Sequence, residues 1–134
     1  MTVEANLKIL VAVTGGIAAY KSAELVRLFV KAGADVQVLM TEGAQAFVTP
    51  LTFQALTGKA VRSSLLDPAA ELGMGHIELA RWADHIVIAP ATADSLARLS
   101  QGMANDLLTT VILAYQGPVT IAPAMNQAMW SNVI

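Results

Sequence analysis

Four short runs of apolar, β-prone residues alternate with segments of helical periodicity, and this alternation constrains the fold more than any other feature of the chain. The runs are "KILVAV", "DVQVLMT", "HIVIAP" and "VTIAP". Continuous apolar runs of this length are typical of strands that are buried in a parallel sheet. The alternation therefore predicts an open, doubly wound, mostly parallel α/β sheet, a three-layer sandwich of the Rossmann or flavodoxin-like class.

The helices between these runs have start and stop residues. The first periodic segment begins near Ala18 and ends at Gly33, and Thr49–Pro50 opens a second that ends at Gly58, because Thr before Pro favours a helix start and Gly a helix end. Further helices are predicted over residues 77–83, 93–100 and from a cap at Asn105 or Asp106 to about Tyr115, and residues 60–75 show no clear pattern.

The composition suits one domain with unusual apolar surface. The chain has 134 residues, of which 55% are hydrophobic and only 13% charged, whereas about a quarter are charged in a typical soluble domain. A membrane, a cofactor or a subunit interface could cover the surplus. Gln116, Gly117, Pro118 and Asn126 interrupt the longest uncharged segment, which disfavours a membrane span. We therefore expect residues 1–134 to form a single domain of a cytoplasmic protein that assembles with copies of itself.

Charge and residue usage weigh against several other classes. The net charge is −2 and no basic run is present, so nucleic-acid binding is not expected. Cysteine is absent, and the only histidines, His76 and His85, lack ligand spacing. Neither disulfides nor a metal site is expected.

In doubly wound sheets, ligands bind beyond the carboxyl ends of the strands, and the first such turn is Thr14-Gly15-Gly16. Glycines let backbone N–H groups approach an anion, and the N-terminus of the following helix adds a favourable dipole. The turn lacks the full G-x-G-x-x-G pattern. It is either part of a cofactor site or a tight turn that binds nothing.

Two further turns carry hydroxyl groups. Thr92-Ala93-Asp94-Ser95 joins a strand to a helix, so its hydroxyls could bind phosphate, or Thr92 or Asp94 could simply cap the helix. Thr41 ends the second strand, where a ribityl or ribose group could lie, or it is an ordinary turn residue. Together the turns favour a phosphorylated cofactor, without separating a flavin from a nicotinamide.

Three residues are candidates for contact with a substrate. His76 lies at a predicted helix start and could be a general base or a carboxylate-binding group, or a structural histidine. Asn126 follows the last apolar run and could bind a carboxylate or cap a turn. Met125 beside it could form an apolar wall of a pocket or pack in a core or interface.

Five segments occur in the order seen in one family: "VTGGIAAYK", "MTEGAQAFVTP", "SLLDPAAELGMGHIELARWAD", "IAPATADSLARLSQGMANDLL" and "PAMNQAMW". From about Lys8 to Trp130 the chain resembles the flavin-dependent cysteine decarboxylases. Within that family it most resembles the N-terminal part of the bifunctional bacterial phosphopantothenoylcysteine decarboxylase/phosphopantothenate–cysteine ligases. The His76 segment and Pro-Ala-Met-Asn are specific to the resemblance, whereas the glycine turn is not.

The resemblance implies a role for each candidate. It implies non-covalent FMN held by Thr14, Gly15, Gly16 and Thr41, with its phosphate on Thr92, Ala93, Asp94 and Ser95. His76 is implied as the active-site histidine and Asn126, beside Met125, as the substrate-binding residue. The implied reaction is decarboxylation of 4′-phosphopantothenoylcysteine to 4′-phosphopantetheine by thiol oxidation, CO2 loss and re-reduction. The implied assembly is a homotrimer or an assembly of trimers, with sites at subunit contacts.

One departure leaves alternatives open. Family members continue beyond this point with more sheet and helix, a covering loop with a cysteine that protonates the intermediate, and in bifunctional members a ligase part. We expect these segments to be missing from a truncated chain. A trimeric flavin-binding regulatory or structural subunit without full turnover is therefore one alternative, and a flavin prenyltransferase is another.

Overall fold

The computed structural model describes residues 6–65 and 75–134, and in them it shows a four-stranded, all-parallel sheet with helices on both faces. The strands are β1 Lys8–Val13, β2 Asp35–Met40, β3 His85–Ala91 and β4 Val119–Pro123. The helices are α1 Ala19–Lys31, α2 Pro50–Thr57, α3 His76–Trp82, α4 Ala93–Ser100, α5 Leu107–Ala114 and α6 Gln127–Trp130, with a 3₁₀ turn at Gly43–Ala46. The predicted doubly wound α/β class is confirmed.

The strand order is β2-β1-β3-β4. From β1 the chain crosses through α1 to β2 on one side, and from β3 it crosses to β4 on the other. The direction of winding therefore reverses between β1 and β3, and such a reversal opens a crevice at the carboxyl ends of these two strands. This topology fixes where a ligand site is expected.

Both faces of the central strand β1 are buried, as its continuous apolar run predicts. On one face α1 and α2 pack against the sheet, with Val26 and Phe53 fully buried. On the other face α3 and α5 pack, with Leu79 and Val111 fully buried. Burial of each such side chain contributes about 1.5–3 kcal/mol to stability.

The predicted strands and helices agree with the structure, which adds a 3₁₀ turn, the helix α6 and a bridge between Arg62 and β2. Gly33 and Gly58 follow α1 and α2 in left-handed conformations, as expected of helix stops. The 3₁₀ turn and α6 were not predicted. Of the segment predicted to be irregular, residues 66–74 lie outside the described residues. Within its described part, Arg62 pairs with the edge of β2, donating to the Val38 carbonyl at 3.0 Å and accepting from Met40 N–H at 2.8 Å.

Apolar surface is concentrated in two places. All five residues of the edge strand β4 are exposed, and Trp130 of α6 is 65% exposed. At the β1–α1 turn, Ile17 and Tyr20 are 81% and 61% exposed, and Leu51 at the start of α2 is 70% exposed. The surplus of apolar residues in the composition is thus partly on the surface of the single chain. In the described part of the chain, every helix is too short or too polar to span a bilayer.

Candidate functional site

One buried side chain joins the two turns at the crevice. Thr14, fully buried, donates its hydroxyl hydrogen to the Pro90 carbonyl at 2.5 Å and accepts from Thr92 N–H at 3.0 Å. The hydroxyl therefore links the end of β1 to the end of β3. This placement gives Thr14 a positioning role, and it is absent from the residues that line the cavity described below.

A second close approach joins the turns after β1 and β2. A Cβ atom added to Gly15 would lie 2.7 Å from the backbone carbon of Gly43 and 3.0 Å from its Cα. Only glycine allows the two backbones to come this close without a shift of one turn. The next residue differs, because a Cβ added to Gly16 would meet only the Thr92 methyl group, at 3.5 Å. The requirement for glycine thus falls on Gly15.

A cavity of about 1310 Å³ opens where these turns meet. Ligand sites usually measure about 300–1,000 Å³, so this one has room for a cofactor together with a substrate. Of the eleven residues proposed from the sequence, nine line it: Gly15, Gly16, Thr41, Thr92, Ala93, Asp94, Ser95, Met125 and Asn126. The strand-end rule and the motifs therefore select one place in the fold.

The turn at the start of α4 combines capping with spare hydrogen-bond donors. The Thr92 hydroxyl accepts from Ser95 N–H at 3.1 Å and donates to the Ser95 hydroxyl oxygen at 3.0 Å, so the capping interpretation of Thr92 is confirmed. Within residues 6–65 and 75–134, the N–H groups of Ala93 and Asp94 and the hydroxyl hydrogen of Ser95 have no acceptor. Three donors at one helix N-terminus suit an anion such as a phosphate.

Thr41 follows β2, whereas the Thr92 turn follows β3, so the two lie on opposite sides of β1 in the sheet order. Its N–H donates to the Val13 carbonyl at 3.0 Å, and its hydroxyl oxygen accepts from Ala44 N–H at 3.3 Å. The hydroxyl hydrogen is left to donate to a ligand. Thr41 can therefore hold a polyol chain while it stabilises the turn after β2.

Asn126 both caps a helix and faces the cavity. Its Oδ1 accepts from Ala128 N–H at 2.8 Å, which starts the short helix α6. The side-chain NH2 group has no acceptor among the described residues and can donate to a carboxylate. Met125 and Met129 line the cavity beside it and supply apolar walls. The capping and binding interpretations of Asn126 are thus compatible.

His76 does not line the cavity of its own chain. It is the first residue of α3 and is half-buried. Because α3 leads directly into β3 and packs along the sheet, its first residue lies towards the carboxyl edge. The far end of the helix is fixed by Trp82, whose ring centroid lies 5.3 Å from the Lys59 ammonium, and Lys59 also pairs with Asp35.

The structure adds lining residues that the sequence interpretation missed. Ser63 and Ser64 reach the cavity through the Arg62 pairing with β2, in a segment without a recognisable pattern. Arg98 is the only cationic residue among the described residues that line the cavity, and its position one turn after Asp94 was the available signal. Asp106 was predicted as a helix cap, and it caps α5 by accepting from Thr109 N–H at 2.8 Å.

A family model described as Flavoprotein matches residues 2–134. The chain belongs to the Flavoprotein family. This membership supports a flavin as the cofactor predicted from the sequence. The spare donors at the α4 turn, the Thr41 hydroxyl and the close approach at Gly15 fit the phosphate and polyol of a phosphorylated flavin.

Individual members of the Flavoprotein family are similar over nearly the whole chain. The coenzyme A biosynthesis bifunctional protein CoaBC of Vibrio cholerae is 63% identical over 129 residues, which are 96% of this chain and 32% of that protein. The chain thus spans about a third of the length of the curated relatives it matches.

Two solved structures share the fold. The FMN-dependent cysteine decarboxylase SpaF superposes with a TM-score of 0.87 at 35% identity, over 96% of this chain and 74% of that one. A cysteine-to-serine variant of a PPC decarboxylase, in complex with pantothenoylaminoethenethiol, gives 0.78 at 32% identity, over 93% and 70%. These proteins carry this architecture in the same family.

Proposed function

We propose that this chain is the flavin-binding domain, residues 1–134, of an FMN-dependent decarboxylase that converts 4′-phosphopantothenoylcysteine to 4′-phosphopantetheine in the cytoplasm. The observation that carries the proposal is that nine of the residues proposed from the sequence line one cavity at the β1/β3 reversal. Similarity to CoaBC of Vibrio cholerae and to a PPC decarboxylase supports the choice of substrate.

The cavity has distinct groups for each part of the cofactor. The N–H groups of Ala93 and Asp94 and the Ser95 hydroxyl would hold the phosphate of FMN, and Thr41 its ribityl chain. Loss of CO2 from an ordinary cysteinyl carboxylate would leave an unstabilised carbanion, and bound FMN supplies the two-electron acceptor and donor that avoid it. Gly15 keeps the turns close enough for the backbone to line the site.

Substrate positioning falls to the end of β4. The Asn126 amide donates to the substrate carboxylate, since its oxygen is already used in the helix cap. Met125 and Met129 would supply apolar walls beside that carboxylate. An apolar surrounding favours decarboxylation because the charge localised on the carboxylate becomes delocalised over the substrate as neutral CO2 leaves. The substrate is thereby oriented by one amide and two apolar side chains.

His76 acts, in this proposal, on the cavity of a neighbouring subunit. It lies outside the cavity of its own chain, and Ile17, which lines the cavity, and Tyr20, three positions later, offer exposed apolar surface to another chain. A trimer in which this surface is covered would bring a second chain next to each cavity. His76 of that chain would serve as base or as partner of the substrate carboxylate.

The proposal is tested by turnover in the full-length protein. Incubation with 4′-phosphopantothenoylcysteine should yield CO2 and 4′-phosphopantetheine, detected by mass spectrometry, and His76→Asn should lose this activity while keeping its flavin. Bound flavin without product would instead indicate a regulatory subunit. Prenylation of FMN by dimethylallyl phosphate would indicate a prenyltransferase.

The shared site has its own test. His76→Asn, inactive alone, and Asn126→Asp, strongly impaired alone, should regain part of the activity when mixed as subunits of one oligomer. A mixed oligomer can contain cavities in which an intact Asn126 faces an intact His76 from the next chain. Mixtures that stay inactive after verified subunit exchange would contradict a site made by two chains.

A further inference from the structure

The charges around the cavity are uneven. Three carboxylate residues line it, Glu42, Asp94 and Asp106, against one cationic residue, Arg98, among the residues that the structure describes. Asp106 is engaged as the cap of α5. A dianionic phosphate that enters this cavity would be repelled by the carboxylates, so Arg98 is the group that can offset the repulsion.

Arg98 is held in place without using all of its donors. Its Nε donates to Asp94 at 3.2 Å, and its Nη1 donates to the Asn105 side-chain oxygen at 2.8 Å. Nη2 has no partner in the described ranges 6–65 and 75–134. The contact with Asn105, on the loop between α4 and α5, fixes the guanidinium, while Nη2 remains available to an anion.

The pair with Asp94 can give way to a ligand. The Asp94 side chain is 81% exposed, whereas that of Arg98 is 31% exposed. Exposed pairs contribute little, typically about 0.2–1 kcal/mol. Asp94 can therefore turn into solvent at small cost while Arg98 stays at the cavity, where an Arg–phosphate contact is stronger than an exposed Arg–carboxylate one.

We propose that Arg98 selects the phosphorylated form of the flavin, FMN, over riboflavin. This inference rests on the proposed flavin-binding function. Long side chains on a helix point back towards its N-terminus, as the Arg98–Asp94 contact at the first turn of α4 shows. The guanidinium thus lies beside the turn at which the Ala93 and Asp94 N–H groups and the Ser95 hydroxyl are free to bind the same phosphate.

The substrate carries a phosphate monoester too, so the experiment must separate the two sources. Placement favours the flavin, because Arg98 shares α4 with the free N–H donors, whereas Asn126, the proposed substrate contact, follows β4. A role in substrate binding would appear as a higher KM for 4′-phosphopantothenoylcysteine but not for unphosphorylated pantothenoylcysteine, with unchanged FMN affinity.

The flavin is first removed from the full-length protein by dialysis. The affinities of FMN and of riboflavin for this protein are then measured by the quenching of flavin fluorescence. Arg98→Gln should weaken FMN binding by about 10- to 100-fold, the range expected for a lost hydrogen bond to a charged group, and leave riboflavin binding unchanged. Arg98→Lys should fall between, because a lysine keeps the charge but not the planar fork. Arg27→Gln is the matched control: it removes an equivalent charge from the exposed face of α1, where Glu24 is the one ion-pair partner of Arg27 among the described residues.

Different results would overturn the role of Arg98 and the proposed flavin-binding function. If Arg98→Gln weakened the binding of FMN and of riboflavin equally, Arg98 would have a structural role only, and the inference would be overturned. An effect on the substrate KM alone would overturn it as well. In the unmodified protein, added salt should weaken FMN binding more than riboflavin binding, and equal sensitivity would also count against the inference. Failure of the unmodified protein to bind either flavin would overturn the proposed function, and this inference with it.

Discussion

The hydroxyl of Thr14 accepts a hydrogen bond from the backbone N–H of Thr92 at 3.0 Å, although the two residues are 78 positions apart. Thr14 is fully buried, so water cannot replace its hydroxyl. One side chain thereby sets the spacing of the two turns at the reversal of the sheet. The cavity depends on a residue that does not line it.

Thr14→Val should test this link. Valine has nearly the same shape, but it leaves the Thr92 N–H without its acceptor, which is expected to cost about 1–3 kcal/mol of unfolding free energy. Thr14→Ser is the control, because it keeps the hydroxyl and loses only the methyl group. Urea unfolding measures both variants, and a valine variant as stable as the unmodified protein would show that the bond contributes nothing.

The two glycines after β1 should respond differently to alanine. Gly15→Ala places a methyl group 2.7 Å from the Gly43 backbone, so one turn must move, and we expect loss of flavin affinity by about tenfold or more, as for misplaced binding groups. Gly16→Ala meets only a methyl group at 3.5 Å and should bind flavin nearly normally. Titration with FMN measures both, and equal behaviour would contradict the close approach.

Asn126 should separate helix capping from substrate binding. Asn126→Asp retains an oxygen for the Ala128 N–H but replaces the NH2 donor with a negative charge. We expect normal flavin content and stability, with kcat/KM reduced more than in Asn126→Ser, in which a shorter hydroxyl replaces the amide without adding a charge and which should fall by about 10- to 100-fold. An aspartate variant with unchanged kcat/KM would rule out contact with the substrate carboxylate.

Tyr115 should make stability depend on alkaline pH. Burial, and secondarily the charge of Asp84, raise the pKa of Tyr115 above its ordinary value. A raised pKa in the folded state means that the unfolded chain loses its proton first. The stability linked to this group is therefore fully present below about pH 10 and lost as pH rises through the folded-state pKa.

Tyr115→Phe should remove that part of the alkaline loss. Its hydroxyl is buried without a hydrogen-bond partner within the described part of the chain, so the change should cost little at neutral pH. Tyr20→Phe, at an exposed tyrosine, is the matched control. Unfolding free energies at pH 8 and above pH 10 provide the comparison, and parallel pH curves for Tyr115→Phe and the unmodified protein would contradict it.

The strands and turns could be predicted because their signals are local. Each apolar run became a strand, and the rule that ligands bind at strand ends placed Thr41, Thr92 and Asn126 around one cavity. Capping is equally local, as Asp106 at the start of α5 illustrates. Capping does not exclude ligand binding at Thr92 and Asn126, since both caps also line the cavity.

The features that could not be predicted depend on contacts between distant segments. A threonine after a strand could face a ligand or a neighbouring strand, and only the pairing of β1 with β3 shows that Thr14 faces Pro90 and Thr92. Arg98 lines the cavity and donates to Asn105, on the loop that follows α4. The position of His76 outside its own cavity depends on packing of α3 that no local pattern encodes.

The most direct test is a crystal structure of the full-length protein with FMN. We expect the FMN phosphate at the start of α4, where it accepts from the N–H groups of Ala93 and Asp94 and from the Ser95 hydroxyl. The rest of the FMN is expected between Gly15 and Asn126. FMN bound elsewhere, or with its phosphate directed away from Ala93–Ser95, would contradict the account.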